Sequence, residues 1–155
     1  MVMNIDETDL KILQALQQDG RLSNAEIAEQ VALSPSPCLR RLRRLEEEGV
    51  IEGYSAQLNR QVIGLGMTVF VQVKLQDHSA ESVAGFEQAV QELAAVVSAH
   101  TVSGFADYLL EVVAADLIDY DSLVRQMQGL KMVREIESNF ALRAVKTAAP
   151  LPLKR

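Results

Sequence analysis

The chain reads SPSPCLRRLRRLEEE from Ser34 to Glu48, and this stretch decides the fold of its N-terminal part. Ser34 is a suitable N-cap, and Pro35 and Pro37 fall in the first turn, where a missing amide hydrogen loses no intrahelical bond. Gly49 follows the last glutamate, and glycine is a common helix stop. The stretch therefore predicts one helix. It holds four arginines, although the whole chain has a formal net charge of −6.

The two sides of this predicted helix differ in chemistry. At 100° per residue, three leucines span one arc of about 120° that would face a core. They are Leu39, Leu42 and Leu45. Cys38 falls inside the same arc, Arg40 and Arg44 point almost directly away from it, and Arg41 and Arg43 flank it. The helix is therefore expected to bury its thiol and to offer guanidinium groups outward.

Two explanations fit the outward arginines. The first is a solvated helix face on which Arg43 pairs with Glu47 and Arg44 with Glu48, although each such pair contributes only about 0.2 to 0.5 kcal/mol. Against it, Arg40 and Arg44 repel each other, and the glutamates crowd the negative C-terminal end of the helix dipole. The second is a polyanionic partner, because phosphates bind arginine forks and helix N-termini. We therefore favour nucleic-acid binding.

Two more helices are predicted upstream. Ser23 to Glu26 has the S-x-x-E form of a capping box and opens an apolar repeat. Before it, Glu7 to Gln18 carries leucines at helical spacing, and Asp19-Gly20 ends that helix. Three helices joined by tight turns form a helix-turn-helix unit. After the third helix, residues 50–54 indicate a short strand or wing, so the winged variant is predicted.

The run from IDETDLKIL to YSAQLN resembles the N-terminal half of the Lrp/AsnC, or feast/famine, transcription regulators. The resemblance rests on D-x-x-D-x-x-I-L at Asp6 to Leu13, on LSPSPC at Leu33 to Cys38, and on R-x-x-x-L-E-x-x-G-x-I at Arg41 to Ile51. It implies that the LSPSPC helix enters the major groove of double-stranded DNA. We expect the serines and arginines of this helix to contact backbone phosphates or base edges. The residues predicted to bind DNA are Ser34, Ser36, Pro37, Arg40, Arg41 and Arg44.

Composition is that of a globular protein. The chain has 155 residues, of which 48% are hydrophobic and 23% charged, enough for one ordinary domain or two small ones. A single cysteine excludes an intrachain disulfide, so an intracellular protein is expected. The sequence has no long apolar run, and Met1 to Asp9 does not have the pattern of a signal peptide. A cytoplasmic location without membrane partners is predicted.

The second half alternates strand and helix patterns. Met67 to Gln76 has apolar residues at every second position, whereas Glu81 to Leu93 has them at helical spacing. The same two patterns recur downstream, giving the order strand, helix, strand, strand, helix, strand. The later segments are Val96 to Ser103, Tyr108 to Val113, Leu117 to Met127 and Val133 to Val145. This βαββαβ order predicts a ferredoxin-like fold.

The fold class is therefore α+β, with an N-terminal winged helix-turn-helix and a C-terminal ferredoxin-like domain. We place the first domain at residues 1–54, a hinge linker at 55–66, the ferredoxin-like domain at 67–147 and a C-terminal tail at 148–155. The resemblance implies that the ferredoxin-like domain senses a ligand and drives oligomerisation.

A loop in the second half is the candidate effector site. Residues Val102 to Val112, VSGFADYLLEV, resemble the family signature S-G-x-x-D-Y-x-L, which holds a small effector, commonly an amino acid. Asp107 could accept the ammonium of a zwitterion, and backbone amides near Gly104 could bind its carboxylate. The alternative is that both residues simply form a hairpin. The residues predicted to bind the effector are Ser103, Gly104, Phe105, Ala106 and Asp107.

Other classes of function fit the sequence less well. His78, His100 and Cys38 lack zinc-site spacing, and no nucleophile elbow or P-loop is present, so neither a metal, a cofactor nor an enzyme is predicted. A small-molecule-binding or enzymatic ferredoxin-like domain and an RNA-binding protein remain minor alternatives. The sheet lacks the aromatic-rich strand motif with which such folds stack RNA bases.

Assembly follows from symmetry and from the resemblance. One helix-turn-helix covers a single half-site, so a homodimer on a pseudo-palindromic site is expected. The resemblance implies dimers that pair through their sheets and often stack into octamers. The predicted protein is a sequence-specific DNA-binding transcription regulator that a small effector, expected to be an amino acid, modulates.

Overall fold

The computed structural model describes residues 5–153, which separate into two compact units. Residues 5–57 together with 146–153 form the first unit, and residues 58–145 form the second. The expectation about a signal peptide, and the outer bounds of the domains at residues 1 and 155, fall partly outside the described range.

The first unit contains three helices, α1 (Glu7–Gln18), α2 (Asn24–Gln30) and α3 (Pro35–Glu47). Asp6 and Ser23 each close a capping box at the start of α1 and α2, so orphan amides at both helix N-termini have acceptors. The three helices enclose a small apolar core. Its buried members are Ile12, Leu13, Ile27, Ala28, Val31, Cys38 and Leu45. The predicted helix-turn-helix is confirmed.

α3 ends as predicted, with Gly49 as the residue that stops the helix. Gly49 has φ +71°, and the amides of Gly49 and Val50 donate to the carbonyls of Glu46 and Leu45 at 3.0 and 2.9 Å. This Schellman arrangement turns the chain back, and Val50 packs onto the core of the first unit. Residues 50–54, predicted as a short strand or wing, do not form a strand, because residues 48–66 contain no β-strand.

The second unit contains β1 (Met67–Leu75), α4 (Ala80–Glu92), β2 (Val96–Thr101), β3 (Tyr108–Ala114), α5 (Leu117–Gln128) and β4 (Val133–Phe140). The strands form one antiparallel sheet in the order β2-β3-β1-β4. Both helices pack against one sheet face through Phe86 and Met127, which contact the inward valines of β1. The predicted βαββαβ order is confirmed.

Two details of the predicted pattern are wrong. The helical spacing of Leu117 to Met127 places Leu117 on the inward face, but Leu117 is exposed at the start of α5, and Leu123 is buried instead. The last strand was expected to continue to Val145, but it ends at Phe140, and Leu142 is 97% exposed. Period-2 alternation persists beyond the last residue that has a partner strand, so the pattern alone overestimates the length of β4.

The C-terminal segment belongs to the first unit. The amide of Leu151 donates to the side-chain oxygen of Gln17 on α1, and the Gln17 amide nitrogen donates back to the Leu151 carbonyl at 3.3 Å. Leu153 packs beside the core of that unit. The last described residues therefore pack on α1.

Candidate functional site

The residues that α3 buries determine which side of the helix faces outward. Cys38 and Leu45 are fully buried, whereas Leu39, expected inside, is 36% exposed. Seven residues make almost two full turns, so Cys38 and Leu45 share one face, and the buried centre lies about 50° from the predicted one. Arg40 and Arg43 then point away from the core and are exposed. We call the surface formed by Ser36, Arg40 and Arg43 the outer face of α3.

The orientation predicted for Arg44 is wrong. Arg44 does not point outward, because its Nη2 lies 2.5 Å from Oδ2 of Asp9 on α1. Arg41 Nη1 donates to Asp9 Oδ1 at 2.9 Å and to Asp6 Oδ2 at 2.6 Å. These two members of the predicted DNA-binding set are thus tied to α1. Nothing in the described residues ties Arg40 in this way.

Asp9 was missed by the sequence analysis. Among residues 5–153 it is the one buried charged side chain, with 0% exposure. A buried carboxylate is strongly unfavourable unless cations and hydrogen bonds compensate it. The signal was present in the D-x-x-D motif at Asp6 to Asp9 opposite a helix with four arginines, but pairing across 35 positions could not be derived from periodicity.

The arginines also affect protonation at the edge of this cluster. The pKa of Asp6 is lowered from 3.8 to about 2, first because the backbone amide of Asp9 donates to it and then because Arg41 does. The hydrogen bonds from Arg41 to Asp6 and Asp9 in turn raise the pKa of that guanidinium. Asp6 and Arg41 are therefore both ionised at neutral pH.

The solvated-face explanation is not supported. Neither Arg43 to Glu47 nor Arg44 to Glu48 forms an ion pair in the part of the chain that the structure describes. The outer face of α3 thus keeps two unneutralised guanidinium groups on an acidic protein.

The N-terminal turn of α3 carries the remaining predicted contacts. Ser34 is the N-cap but makes no side-chain cap bond, so its hydroxyl and that of Ser36 stay exposed. Pro37 is half-buried. The Asn24 side chain donates to the Pro35 carbonyl at 2.9 Å and so fixes the start of α3 against α2. This turn therefore presents two hydroxyls from a rigid backbone.

Cys38 has no features of a redox sensor. Its side chain is fully buried, and burial raises the pKa of the thiol. Reactivity needs an accessible thiolate. The predicted burial of Cys38 is confirmed, and its role is in the core of the first unit.

The predicted effector loop joins β2 to β3. Gly104 has φ +118°, a backbone conformation that a side chain would strain. Both carboxylate oxygens of Asp107 have partners within the unit: Oδ2 accepts from the Leu75 amide at 2.8 Å, and Oδ1 lies 2.8 Å from His78 Nε2. The His78 hydrogen bond and then the Leu75 amide lower the pKa of Asp107. Asp107 thus anchors the loop to the end of β1.

The rest of the loop is mostly exposed. Ser103 and Gly104 lie at the surface, Ala106 is buried, and Phe105 is 65% exposed with Lys74 Nζ 4.2 Å from its ring centroid. The cavity lined by Lys74, Phe105 and Ala106 holds about 10 Å³, room for one water molecule. The five residues therefore lie together, but they do not enclose an amino-acid-sized pocket.

The described residues lack two features that other functions would need. Between residues 5 and 153 no helix is long and apolar enough to cross a membrane. Over the same range no three His, Cys, Asp or Glu side chains are grouped so that they could hold a metal ion.

The chain matches two family models. The model of winged helix-turn-helix DNA-binding domains matches residues 5–52, and that of Lrp/AsnC ligand binding domains matches residues 68–151. The Bkd operon transcriptional regulator of Pseudomonas aeruginosa is 42% identical over 150 residues, which cover 96% of this chain and 98% of that protein.

Solved structures agree with these matches. A transcriptional regulator of Neisseria meningitidis, solved with L-Met, superposes with a TM-score of 0.93 at 37% identity, over 96% of this chain and 97% of the other. A feast or famine regulatory protein of Mycobacterium tuberculosis, complexed with L-methionine, gives a TM-score of 0.83 at 29% identity, over 93% and 96%.

Together with the fold and the outer face of α3, the comparisons identify the class of protein. It is a transcription regulator that joins a DNA-binding helix-turn-helix to a ligand-binding domain. The chain belongs to the Lrp/AsnC family. The fold class, family and DNA-binding function predicted from the sequence are thereby confirmed.

Proposed function

We propose that the outer face of α3 and the serines at its N-terminus contact DNA. The observation that carries this proposal is the exposure of Arg40 and Arg43, which lack acidic partners within residues 5–153 although the chain carries a net charge of −6. Ser34, Ser36 and Pro37 lie at the helix end that would lead into a groove, where hydroxyls bind phosphates. The DNA contact predicted for Arg41 and Arg44 is not part of this proposal, because both side chains are bonded to Asp9.

The test uses a duplex that the wild-type chain selects from a random pool. Arg40→Ala with Arg43→Ala should weaken binding to this duplex at least about 30-fold, since each lost arginine contact is worth about 1 to 3 kcal/mol. Arg143→Ala removes an equally exposed arginine from the second unit and should leave affinity unchanged. Wild-type affinity in the double variant would refute the proposed surface.

We propose further that an amino acid acts as the effector and binds at Ser103 to Asp107. Two similar structures contain L-Met, which supports this ligand class. Because both Asp107 oxygens already have partners, the ammonium would meet backbone carbonyls or the Ser103 hydroxyl rather than a free carboxylate. No cofactor and no catalytic activity are part of this proposal.

A thermal-shift screen against the amino acids tests the effector, because a ligand that binds only the folded state raises the melting temperature by mass action. We expect at least one hydrophobic amino acid to raise it by several degrees. Gly104→Val, which strains a backbone at φ +118°, should abolish the shift. A panel without any shift would refute an amino acid effector.

We propose that copies of the chain form a homodimer, and further an octamer, through the open face of the sheet. Phe70 lies exposed on the central strand β1, on the face opposite the helices. The shallow cavity at the effector loop also suits a site that a second copy completes. Light scattering of Phe70→Glu should show smaller particles than wild type. A monomeric wild type at micromolar concentration would contradict the proposal.

The proposed cellular compartment follows from the proposed partner, DNA. A regulator of this family acts where the chromosomal DNA is, so we place the protein in the cytoplasm. Fractionation of cells that express a tagged chain should find it with the nucleic acid rather than in the envelope.

A further inference from the structure

The arginines of α3 form two pairs in different environments. Arg41 and Arg44 make three hydrogen bonds to Asp9 and Asp6 on α1, at 2.5 to 2.9 Å. Arg40 and Arg43 are exposed and make no ion pair within the described chain. One helix thus carries a neutralised pair of arginines and an unneutralised pair.

The position of Asp9 explains why the first pair is held so firmly. Asp9 is fully buried, so its charge must be met by partners inside the unit. Arg44 Nε is also buried and finds no hydrogen-bond acceptor in the described residues. If either guanidinium moved away towards a phosphate, the buried carboxylate would keep one cation instead of two, so its charge would be less well compensated. A contact with an exposed phosphate is a weak replacement for an ion pair with a buried charge.

The charge balance gives the same division. Asp6, Asp9, Arg41 and Arg44 together carry no net formal charge, because two acids face two bases. Every unbalanced positive charge of α3 that faces outward is then on Arg40 and Arg43. By pairing with Arg41 and Arg44, the two acids reduce the number of arginines available to any duplex. Because nonspecific affinity for DNA grows with the number of phosphates neutralised, this pairing also lowers nonspecific affinity.

We propose that Asp9 is a positioning residue that selects which arginines of α3 reach DNA. By holding Arg41 and Arg44 against α1, it limits the DNA contacts of this helix to Arg40 and Arg43 and so lowers nonspecific binding relative to specific binding. This inference rests on the proposed function of α3. Asp9 then affects the specificity of DNA binding from α1, a helix that need not contact DNA.

The salt dependence of binding to a heterologous duplex measures the number of arginines engaged. The slope of log affinity against log salt changes by about 0.9 for each phosphate contact. Asp9→Asn should release Arg44, while Arg41 keeps its hydrogen bond to Asp6, so the slope should steepen by about 1 and the preference for the selected duplex should shrink about tenfold. Glu52→Gln, which removes one exposed acid of the same unit, is the matched control and should change the slope little.

A structural role alone would give a different result. If Asp9 only stabilised the fold, Asp9→Asn would weaken both kinds of binding and would not steepen the slope. An unchanged or shallower slope in folded Asp9→Asn overturns the inference.

A second pair of variants keeps the test valid if Asp9→Asn does not fold. The charge-balanced quadruple variant Asp6→Asn, Asp9→Asn, Arg41→Gln and Arg44→Gln should keep the wild-type slope, whereas Arg40→Gln with Arg43→Gln should reduce it by about 2. Equal reductions in both would overturn the inference while leaving DNA binding by α3 intact. Failure of the wild type to prefer any selected duplex would instead refute the proposed function.

Discussion

Two carboxylates, Asp9 in the first unit and Asp107 in the second, hold the two candidate functional elements, but they do so in different ways. Asp9 is fully buried and its partners are two arginines. Asp107 is partly exposed, and its partners are one backbone amide and His78, which carries charge only when protonated. α3 is therefore held by ion pairs to a buried carboxylate, whereas the candidate effector loop is held by hydrogen bonds that a ligand could rearrange.

The largest effect is expected at the Asp9 site. Arg41→Ala with Arg44→Ala leaves Asp9 buried without a cation, so the free energy of unfolding should fall by about 3 to 5 kcal/mol. Chemical denaturation followed by circular dichroism measures this loss. Arg40→Ala with Arg43→Ala removes two exposed arginines from the same helix and should leave stability nearly unchanged. Equal losses of unfolding free energy in the two double variants would contradict the distinction between the two pairs of arginines.

A smaller effect is expected at the Asp107 site. Asp107→Ala leaves the Leu75 amide without its acceptor and should lower the free energy of unfolding by about 1 to 3 kcal/mol. Asp121→Ala breaks the exposed Asp121 to Arg125 pair, which has the same 2.8 Å separation, and should have much less effect. Indistinguishable losses would show that Asp107 does not anchor the loop.

The dependence of the free energy of unfolding on pH at acid values should reflect the charge cluster at the start of α1. Asp6 has its pKa lowered from 3.8 to about 2 in the folded state, so the unfolded chain binds the proton more readily. The stabilisation is present above about pH 3.8 and is lost as the pH falls towards 2. Denaturation measured between pH 5 and 2 should show this loss, and Asp6→Asn should flatten that part of the profile. A parallel profile in the variant would contradict the assignment.

The smallest effect concerns the surface of the effector loop. Phe105→Ala removes the ring beneath Lys74 and should lower the free energy of unfolding by only about 0.5 to 1 kcal/mol. Because the loop is expected to bind the effector, the same change should alter the amino acid preference in the thermal-shift screen. Phe105→Leu, which keeps an apolar side chain without the ring, separates packing from the cation contact.

Sequence reasoning succeeded where a local pattern determines structure. The capping box at Ser23, the prolines after Ser34 and the alternation along β1 each act within a few residues, and each element formed as predicted. It failed where a distant partner decides. Burial of Asp9 depends on arginines more than 30 positions away, and β4 ends at Phe140, its last residue that pairs with β1.

The site shows the same division. The basic helix could be recognised from its composition, but the choice between Arg43 and Arg44 as the outward residue could not. That choice depends on the rotation of α3 about its axis, which Cys38, Leu45 and the Asp9 ion pairs set together. A helical wheel treats the leucines as equal, whereas the folded unit leaves Leu39 partly exposed.

One measurement tests the central claim most directly, namely that Arg40 and Arg43 meet DNA while Arg41 and Arg44 stay on α1. Arginine-specific modification with phenylglyoxal, read out by mass spectrometry, can be followed with and without the selected duplex. We expect Arg40 and Arg43 to react fast in the free protein and to be protected by DNA, and Arg41 and Arg44 to react slowly in both states. Fast reaction of Arg44 in the free protein, or DNA protection confined to Arg41 and Arg44, would contradict the account.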